Sequence, residues 1–167
     1  MMATTNQLSE AEEQLVIFTL AEESYGVSIA AVNTIIRLPE ITQVPHTATY
    51  VRGVINLRGV IVPVIDVRVR FGLPAAVAAK ATRIMVVEHQ NMLIGMIVDT
   101  VSETLRLPMA AIEPLSPLIT STDARYLRGV GKLEDRLIIL LALDQVLKYE
   151  DAVALHLLDD AGAPAVA

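Results

Sequence analysis

The sequence contains no cysteine, and only 4% of its residues are aromatic. The first absence removes disulfides, thiol nucleophiles and cysteine metal sites. The second leaves few rings on which nucleobases could stack. Cations are scarce as well: 13 Lys and Arg stand against 19 Asp and Glu, a net charge of −6, and only three of the cations are lysines. A nucleic-acid binder carries a basic face, so that class is disfavoured. The longest apolar runs, Val60 to Ile65 and Leu137 to Leu143, fall far short of the roughly 20 residues a membrane helix needs. The opening MMATTNQLSEAEE has neither the cationic start nor the apolar core of a secretory signal. A soluble protein with no membrane insertion is expected.

Assembled catalytic groups are missing too. His46, His89 and His156 lie far apart, without the acids and spacing of an HExxH helix, so no metal site is expected. No serine sits in a G-x-S-x-G turn, and neither a P-loop nor G-x-G-x-x-G occurs. Gly129-Val130-Gly131-Lys132 resembles a phosphate loop only superficially, because its spacing is wrong. Asp66 and Asp144 each follow an apolar run, and their matched positions before short helices are better explained by N-capping than by catalysis or phosphorylation. The expectation is a non-enzyme with no cofactor.

What is present is a Val, Ile and Leu-rich chain, 53% apolar over 167 residues, enough for one domain or for two small halves sharing a core. LVIFTL from Leu15 and the segment Tyr25 to Ile29 read as a hairpin. Ala30 to Arg37 has helical or bulged spacing before Pro39, and Ile41 to Val44 reads as a short strand. A shift of about 69 positions lays Gly26, Val32, Arg37, Leu38 and Pro39 on Gly95, Val101, Arg106, Leu107 and Pro108. A shift of about 76 lays Ala48, Tyr50, Arg52, Gly53, Val54 and Leu57 on Ala124, Tyr126, Arg128, Gly129, Val130 and Leu133. Two copies of one β unit follow, with an insertion in the second, placed in the loop Glu113 to Thr122. About ten short strands with turn signals between them favour two small barrels over a parallel sheet. A terminal helix after Asp144 carries Val146, Tyr149 or Glu150, Val153 and Leu157 along one stripe.

The chain is organised around VRGVINLRGVIVPVIDVRVRFG, residues 51 to 72. Gly53 and Gly59 bracket a polar turn that feeds the apolar run Val60 to Ile65. Pro63, with no N–H to give, places that run at a sheet edge or a bulge. Asp66 caps a short helix, Val67 to Phe71, ended by Gly72. The copies diverge at the turn, where Asn56, Leu57, Arg58 and Gly59 are matched by Lys132, Leu133, Glu134 and Asp135, so function is expected on the first turn. An arginine on a glycine-flanked turn is a preorganised donor fork for a carboxylate or carbonyls on a partner. From residue type alone it serves equally as an internal brace or a solvated cation.

The words RGVINLRGVIVPVIDVR, with GVSIAAVNTIIR and ITQVP before them, closely resemble the signature of the CheW family, the coupling proteins of bacterial chemotaxis. The likeness spans residues 14 to 150. It implies a single domain of two SH3-like five-stranded β-barrels packed around a shared hydrophobic core with a C-terminal helix. The halves fall near 14–73 and 82–150, with strand exchange between them allowed, and 1–13 and 161–167 are expected as flexible termini. The resemblance also implies a cytoplasmic, non-enzymatic adaptor, recruited to membrane-associated arrays, with two partners. These are the tip of a methyl-accepting chemoreceptor and the regulatory domain of a CheA-type histidine kinase. By the same resemblance the receptor meets Val32, Thr34, Gly53, Asn56, Leu57, Arg58 and Gly59, with Val101 and Ser102 opposite; no kinase-contact residue is derivable. Thr34 departs from the family, whose members commonly carry glutamate there. The absence of an attached receiver domain fits a free-standing coupler. The alternatives are an adaptor for another motility or developmental array, and a small-ligand β-barrel protein.

Overall fold

The computed structural model describes residues 12–45, 47–74, 76–114 and 124–147. Two antiparallel strands, β1 (Glu12–Leu20) and β2 (Glu23–Ser28), form the first hairpin, and a 3-10 turn at Ile29–Ala31 leads into β3 (Val32–Arg37). A second hairpin joins β4 (Val51–Leu57) to β5 (Val60–Asp66), which runs into the one-turn helix α1 (Val67–Arg70). The pattern then repeats: β6 (Arg83–His89) with β7 (Met92–Val98), then β8 (Thr100–Pro108), β9 (Ile112–Glu113), the hairpin β10 (Leu127–Leu133) with β11 (Arg136–Leu141), and α2 (Leu143–Val146).

The strands assemble into two sheets, β8-β1-β2-β11-β10-β9 and β3-β6-β7-β5-β4, the two-barrel plan expected. Each barrel draws strands from both sequence repeats. The hairpin β1–β2 leaves its own repeat and lies beside β11, with Leu140 paired in parallel with Gly26. The matching hairpin β6–β7 lies beside β5, with Val64 paired with Gly95. These are repeat-equivalent contacts, and they explain why both positions are glycine. A Cβ on Gly26 would meet Ile138, Ile17 and Leu140, and one on Gly95 would meet Ile84 at 2.9 Å.

The exchange also explains the unalternated LVIFTL and RIMVV runs. Leu15 and Ile17 fill the second barrel, while Val16, Phe18 and Leu20 face the layer between barrels. Ile84 and Val86 fill the first barrel, while Met85 and Val87 face the same layer. Strands buried on both faces must be apolar throughout. Every aromatic residue among those described packs into that layer. Phe18, Tyr25, Phe71 and Tyr126 follow one another at centroid spacings of 5.8, 5.9 and 5.4 Å. The Arg70 guanidinium lies 4.7 Å from the ring centres of both Tyr50 and Tyr126, and its Nε donates to the Val146 carbonyl.

A polar clip crosses the same junction. Arg68 on α1 grips Asp99 with two bonds of 2.8 and 2.6 Å, while Asp99 accepts the Ala21 N–H at 3.0 Å and donates its own N–H to Thr19. The Arg68 guanidinium holds the Asp99 carboxyl below its ordinary value, against the opposing effect of burial.

Several expectations are corrected. Pro63 is in an interior strand, since β5 lies between β4 and β7. Its partner Val54 turns both N–H and C=O to Thr42, so Pro63 faces β7 instead, where the parallel ladder begins only at Val64; no ladder bond is lost. The run Val60 to Ile65 is not wholly buried, because Val60 and Ile61 are 50% and 57% exposed. Asp66 does cap α1, accepting from the Val69 N–H, but α2 has Ala142 at its N-cap, and Asp144 lies inside the first turn, 3.6 Å from His89 Nδ1. Ala30 to Arg37 is mainly strand, and Ile41 to Val44 contributes only the bridge between Thr42 and Val54. The expected loose arm is ordered at Glu12 and Glu13, where Glu13 takes a two-bond grip from Arg128. His46, residues 1–11, most of the loop from Glu113 to Thr122, and the helical stripe beyond Leu147 lie outside the described residues.

Two predictions follow from this packing. A Cβ on Gly53, whose φ is +143°, would stand 2.0 Å from the Thr42 carbonyl oxygen, whereas one on Gly59, at φ +85°, meets nothing within 4 Å. Gly53→Ala is therefore expected to lower stability by about 3 kcal/mol or more and Gly59→Ala by about 1–2 kcal/mol, measured by urea denaturation. For the clip, Asp99→Asn should cost about 1 kcal/mol near neutrality. A carboxyl depressed in the fold stabilises it above the unfolded value near 3.8, and that contribution disappears as pH falls through the depressed folded value. The melting gap between wild type and Asp99→Asn should stay constant from neutrality to about pH 5 and close below it; a gap independent of pH would show that the charge on Asp99 is immaterial.

Candidate protein-interaction site

The β4–β5 connection is a two-residue loop, Arg58–Gly59, with both residues left-handed at φ 54° and 85°. Such turns match the twist of the flanking strands. Asn56 fixes the loop by accepting the Gly59 N–H at 2.8 Å through Oδ1. Asn56 is thus a turn-builder, and Leu57 packs inward against the first barrel's core. Arg58 is exposed and has no hydrogen-bond or ion-pair partner among the described residues. It braces nothing, which removes one of the readings open from residue type.

Val60 and Ile61 complete the tip. They pair with Leu57 and Asn56, one on each face of the hairpin, and both are exposed, so the Arg58 turn leads directly into an apolar collar. This collar was missed in the sequence because the VIVPVI run reads as uniformly buried. The signal was its place directly after the turn, where the first residues pass the end of the core. The repeat agrees, since Leu137, equivalent to Ile61, is 58% exposed.

The remaining expected residues are distributed. Val32 pairs with Val87 and Val101 with Phe18, and both valines pack against the layer between the barrels, one from each side. Beside each is a β-bulge, at Asn33 and at Ser102. Ser102 donates its hydroxyl to the Ile17 carbonyl at 3.3 Å, which braces the bulge. Thr34 is half-buried opposite Val86. Gly53 is buried under Thr42, so its role is to let the β3–β4 connection close against β4. Through the ladders of β6, β7 and β5, Val32 lies level with Pro63. The Arg58 turn therefore overhangs that row by about four residues, roughly 13 Å. The structure brings Asn56 to Gly59 together at one tip and Val32 with Val101 at the junction of the barrels.

No group of three or more metal-ligating side chains occurs among the described residues. Both barrel interiors are filled by aliphatic side chains, which argues against a ligand-carrying barrel. No helix among the described residues is long and apolar enough to cross a membrane.

Comparison with known proteins gives one consistent result. The sequence profile described as CheW-like domain matches residues 14–151. The chain is 34% identical over 152 residues to the chemotaxis protein CheW of Klebsiella aerogenes, covering 90% of this chain and 92% of that protein. It is 36% identical over 137 residues to the chemotaxis protein CheW of Helicobacter pylori, covering 82% of each. Among solved structures, the scaffolding protein TtCheW from Thermoanaerobacter tengcongensis matches with a TM-score of 0.76 at 37% identity, covering 83% of this chain and 94% of that one.

The turn itself makes a prediction. A non-glycine residue in the left-handed region costs about 1–2 kcal/mol, and Asn-Gly is the preferred pair for this turn. Arg58→Asn is expected to raise stability by about 0.5–1 kcal/mol in chemical denaturation. A fall would mean that Arg58 contributes to the fold through its side chain.

Proposed function

The chain belongs to the CheW-like domain family, and from that premise we propose that it is a non-enzymatic adaptor of bacterial chemotaxis. It works in the cytoplasm, at membrane-associated arrays, holding the regulatory domain of a CheA-type histidine kinase beside a chemoreceptor tip. The single observation that carries the receptor side of this reading is the Arg58 turn. It offers a guanidinium without a partner among the described residues, beside an apolar collar of Val60 and Ile61, the combination a modest, reversible protein interface uses.

The receptor contact is made by Asn56, Leu57, Arg58 and Gly59 at the tip, with Val32, Thr34, Val101 and Ser102 along the junction of the barrels. Gly53 shapes this face from below. Thr34 brings no charge where members of the family commonly carry glutamate, and Arg58 has no side-chain partner among the described residues, so the guanidinium is left to the partner's carboxylates or carbonyls. Holding both partners creates a coupling free energy between them, of the order of 1–3 kcal/mol in such systems, and that suffices for receptor state to bias kinase activity.

Co-sedimentation with the cognate kinase and a receptor signalling fragment tests the assignment. Wild type is expected to join both, and Arg58→Glu to retain the kinase and lose the receptor with its melting curve unchanged. Retention of the receptor by Arg58→Glu would remove the tip from the contact. Failure of wild type to join either partner at low salt would overturn the adaptor reading for them.

A further inference from the structure

At the end of the first barrel away from the Arg58 turn, three cations converge. Arg37 at the end of β3 and Arg83 at the start of β6 are direct cross-strand partners, so their side chains share one face with Cα atoms about 5 Å apart. With Lys80 they line an open concavity of about 610 Å³, completed by Leu38, Ala79 and Thr82 and containing no acidic residue. Neither the Arg37 nor the Lys80 side chain has a hydrogen-bond or ion-pair partner among the described residues.

Like charges directly opposite one another destabilise a sheet, and the fold does not require them here. The repeat-equivalent pair in the second barrel is Gln14 with Arg106, the same register with one charge removed. The first barrel therefore carries a repulsion that the second avoids, in a chain whose net charge is −6.

The site is also built. Arg83 Nη1 donates to the carbonyls of Lys80 and Thr82 at 2.9 Å each. The loop beneath is closed by Ala79 N–H to Thr82 Oγ1 at 2.8 Å and Thr82 N–H to the Ala79 carbonyl at 3.1 Å. These bonds hold the Arg83 fork in place while leaving its other nitrogens available.

We infer that Arg37, Lys80 and Arg83 form a second docking surface, which receives an acidic, Asp- or Glu-rich segment of a partner protein. Two adjacent guanidinium forks match carboxylates with paired bonds. The concavity is open and broad, which suits an extended segment better than an enclosed small anion. Three cations on an acidic protein are too few for a polyanionic membrane, where each is worth only about 1 kcal/mol. The surface stands apart from the Arg58 tip, so one domain can be held at both ends of its first barrel.

Fluorescence anisotropy with a labelled Asp/Glu decapeptide tests this on the intact protein. Saturable, salt-sensitive binding is expected. Arg37→Gln and Arg83→Gln together should weaken it by about tenfold or more, while Arg106→Gln, at the equivalent place in the second barrel, leaves it unchanged. Arg37→Gln should melt no lower than wild type, since it relieves repulsion and breaks no bond; a lower melt would make Arg37 structural and overturn the inference. Absence of binding at low salt, or equal weakening by Arg106→Gln, would do the same. Displacement of the peptide by millimolar inorganic phosphate would reassign the site to a free anion. Arg37- and Arg83-dependent sedimentation with phosphatidylglycerol vesicles, without peptide binding, would reassign it to a membrane.

Discussion

Phe18, Tyr25, Phe71 and Tyr126 run ring against ring through the layer between the barrels, and Arg70 ends the row by lying between Tyr126 and Tyr50. The rest of the architecture depends on that layer because each repeat gives its first hairpin away. β1–β2 completes the barrel that holds β10–β11, and β6–β7 completes the one that holds β4–β5. A single repeat of about 70 residues would bury too little surface to be more than marginal, and here it would also lack the strands that close its own barrel. The two repeats are therefore one cooperative unit. Arg70 occupies the place that Val146 takes in the second repeat, and its bond to the Val146 carbonyl joins two equivalent helices. A planar guanidinium between two rings keeps its charge while covering apolar faces.

Much of this was legible in the sequence, and the parts that were not share a physical cause. The repeat offsets gave the correct equivalences, because Gly26 and Gly95, or Gly53 and Gly129, face the same steric demand in each copy. Strand exchange was left open, since a strand apolar on both sides can be buried against either sheet. Pro63 misled because the rule confining proline to edges counts a missing N–H, and here that N–H would have met no acceptor. Asp144 misled because the carboxylate lies two positions beyond the true cap, Ala142. The turn Ala21–Glu22 carries no glycine or asparagine, yet both residues are left-handed. It is held by the Asp99 carboxylate from another repeat, and such long-range partners leave no local trace.

The divergence between the copies separates scaffold from surface. Several positions that fit the layer or the barrel interiors persist across the repeat: Gly26 with Gly95, Gly53 with Gly129, Tyr50 with Tyr126, and Val32 with Val101. Positions facing outward change, Arg58–Gly59 to Glu134–Asp135 and Arg83 to Gln14. A duplicated fold places the same backbone in two settings, so a residue that raises the fold's energy in one copy only is explained by what it meets there. Arg83 opposite Arg37 has this character. The left-handed backbone of Arg58 recurs at Glu134 in the second copy, so at that turn it is the side-chain charge that differs; these two arginines carry the docking surfaces inferred for the first barrel.

These two surfaces lie at opposite ends of the same sheet, on different strands, which bears on how such an adaptor can couple its partners. Energy passes between sites only if the element joining them does not absorb it, and coupling energies are small, about 1–3 kcal/mol. From the Arg58 tip the path runs along β5, across its parallel ladder to β7, and through seven consecutive pairs to β6. One side of each of these strands packs a filled barrel and the other packs the shared layer. A close-packed interior of this kind transmits displacement instead of yielding to it. The same rigidity explains how strained residues persist in the turns, since a left-handed Arg58 or Ala21 survives only where the surroundings determine its conformation completely. The domain is best regarded as a stiff spacer whose faces keep a fixed relation, so that movement imposed on one partner is delivered to the other.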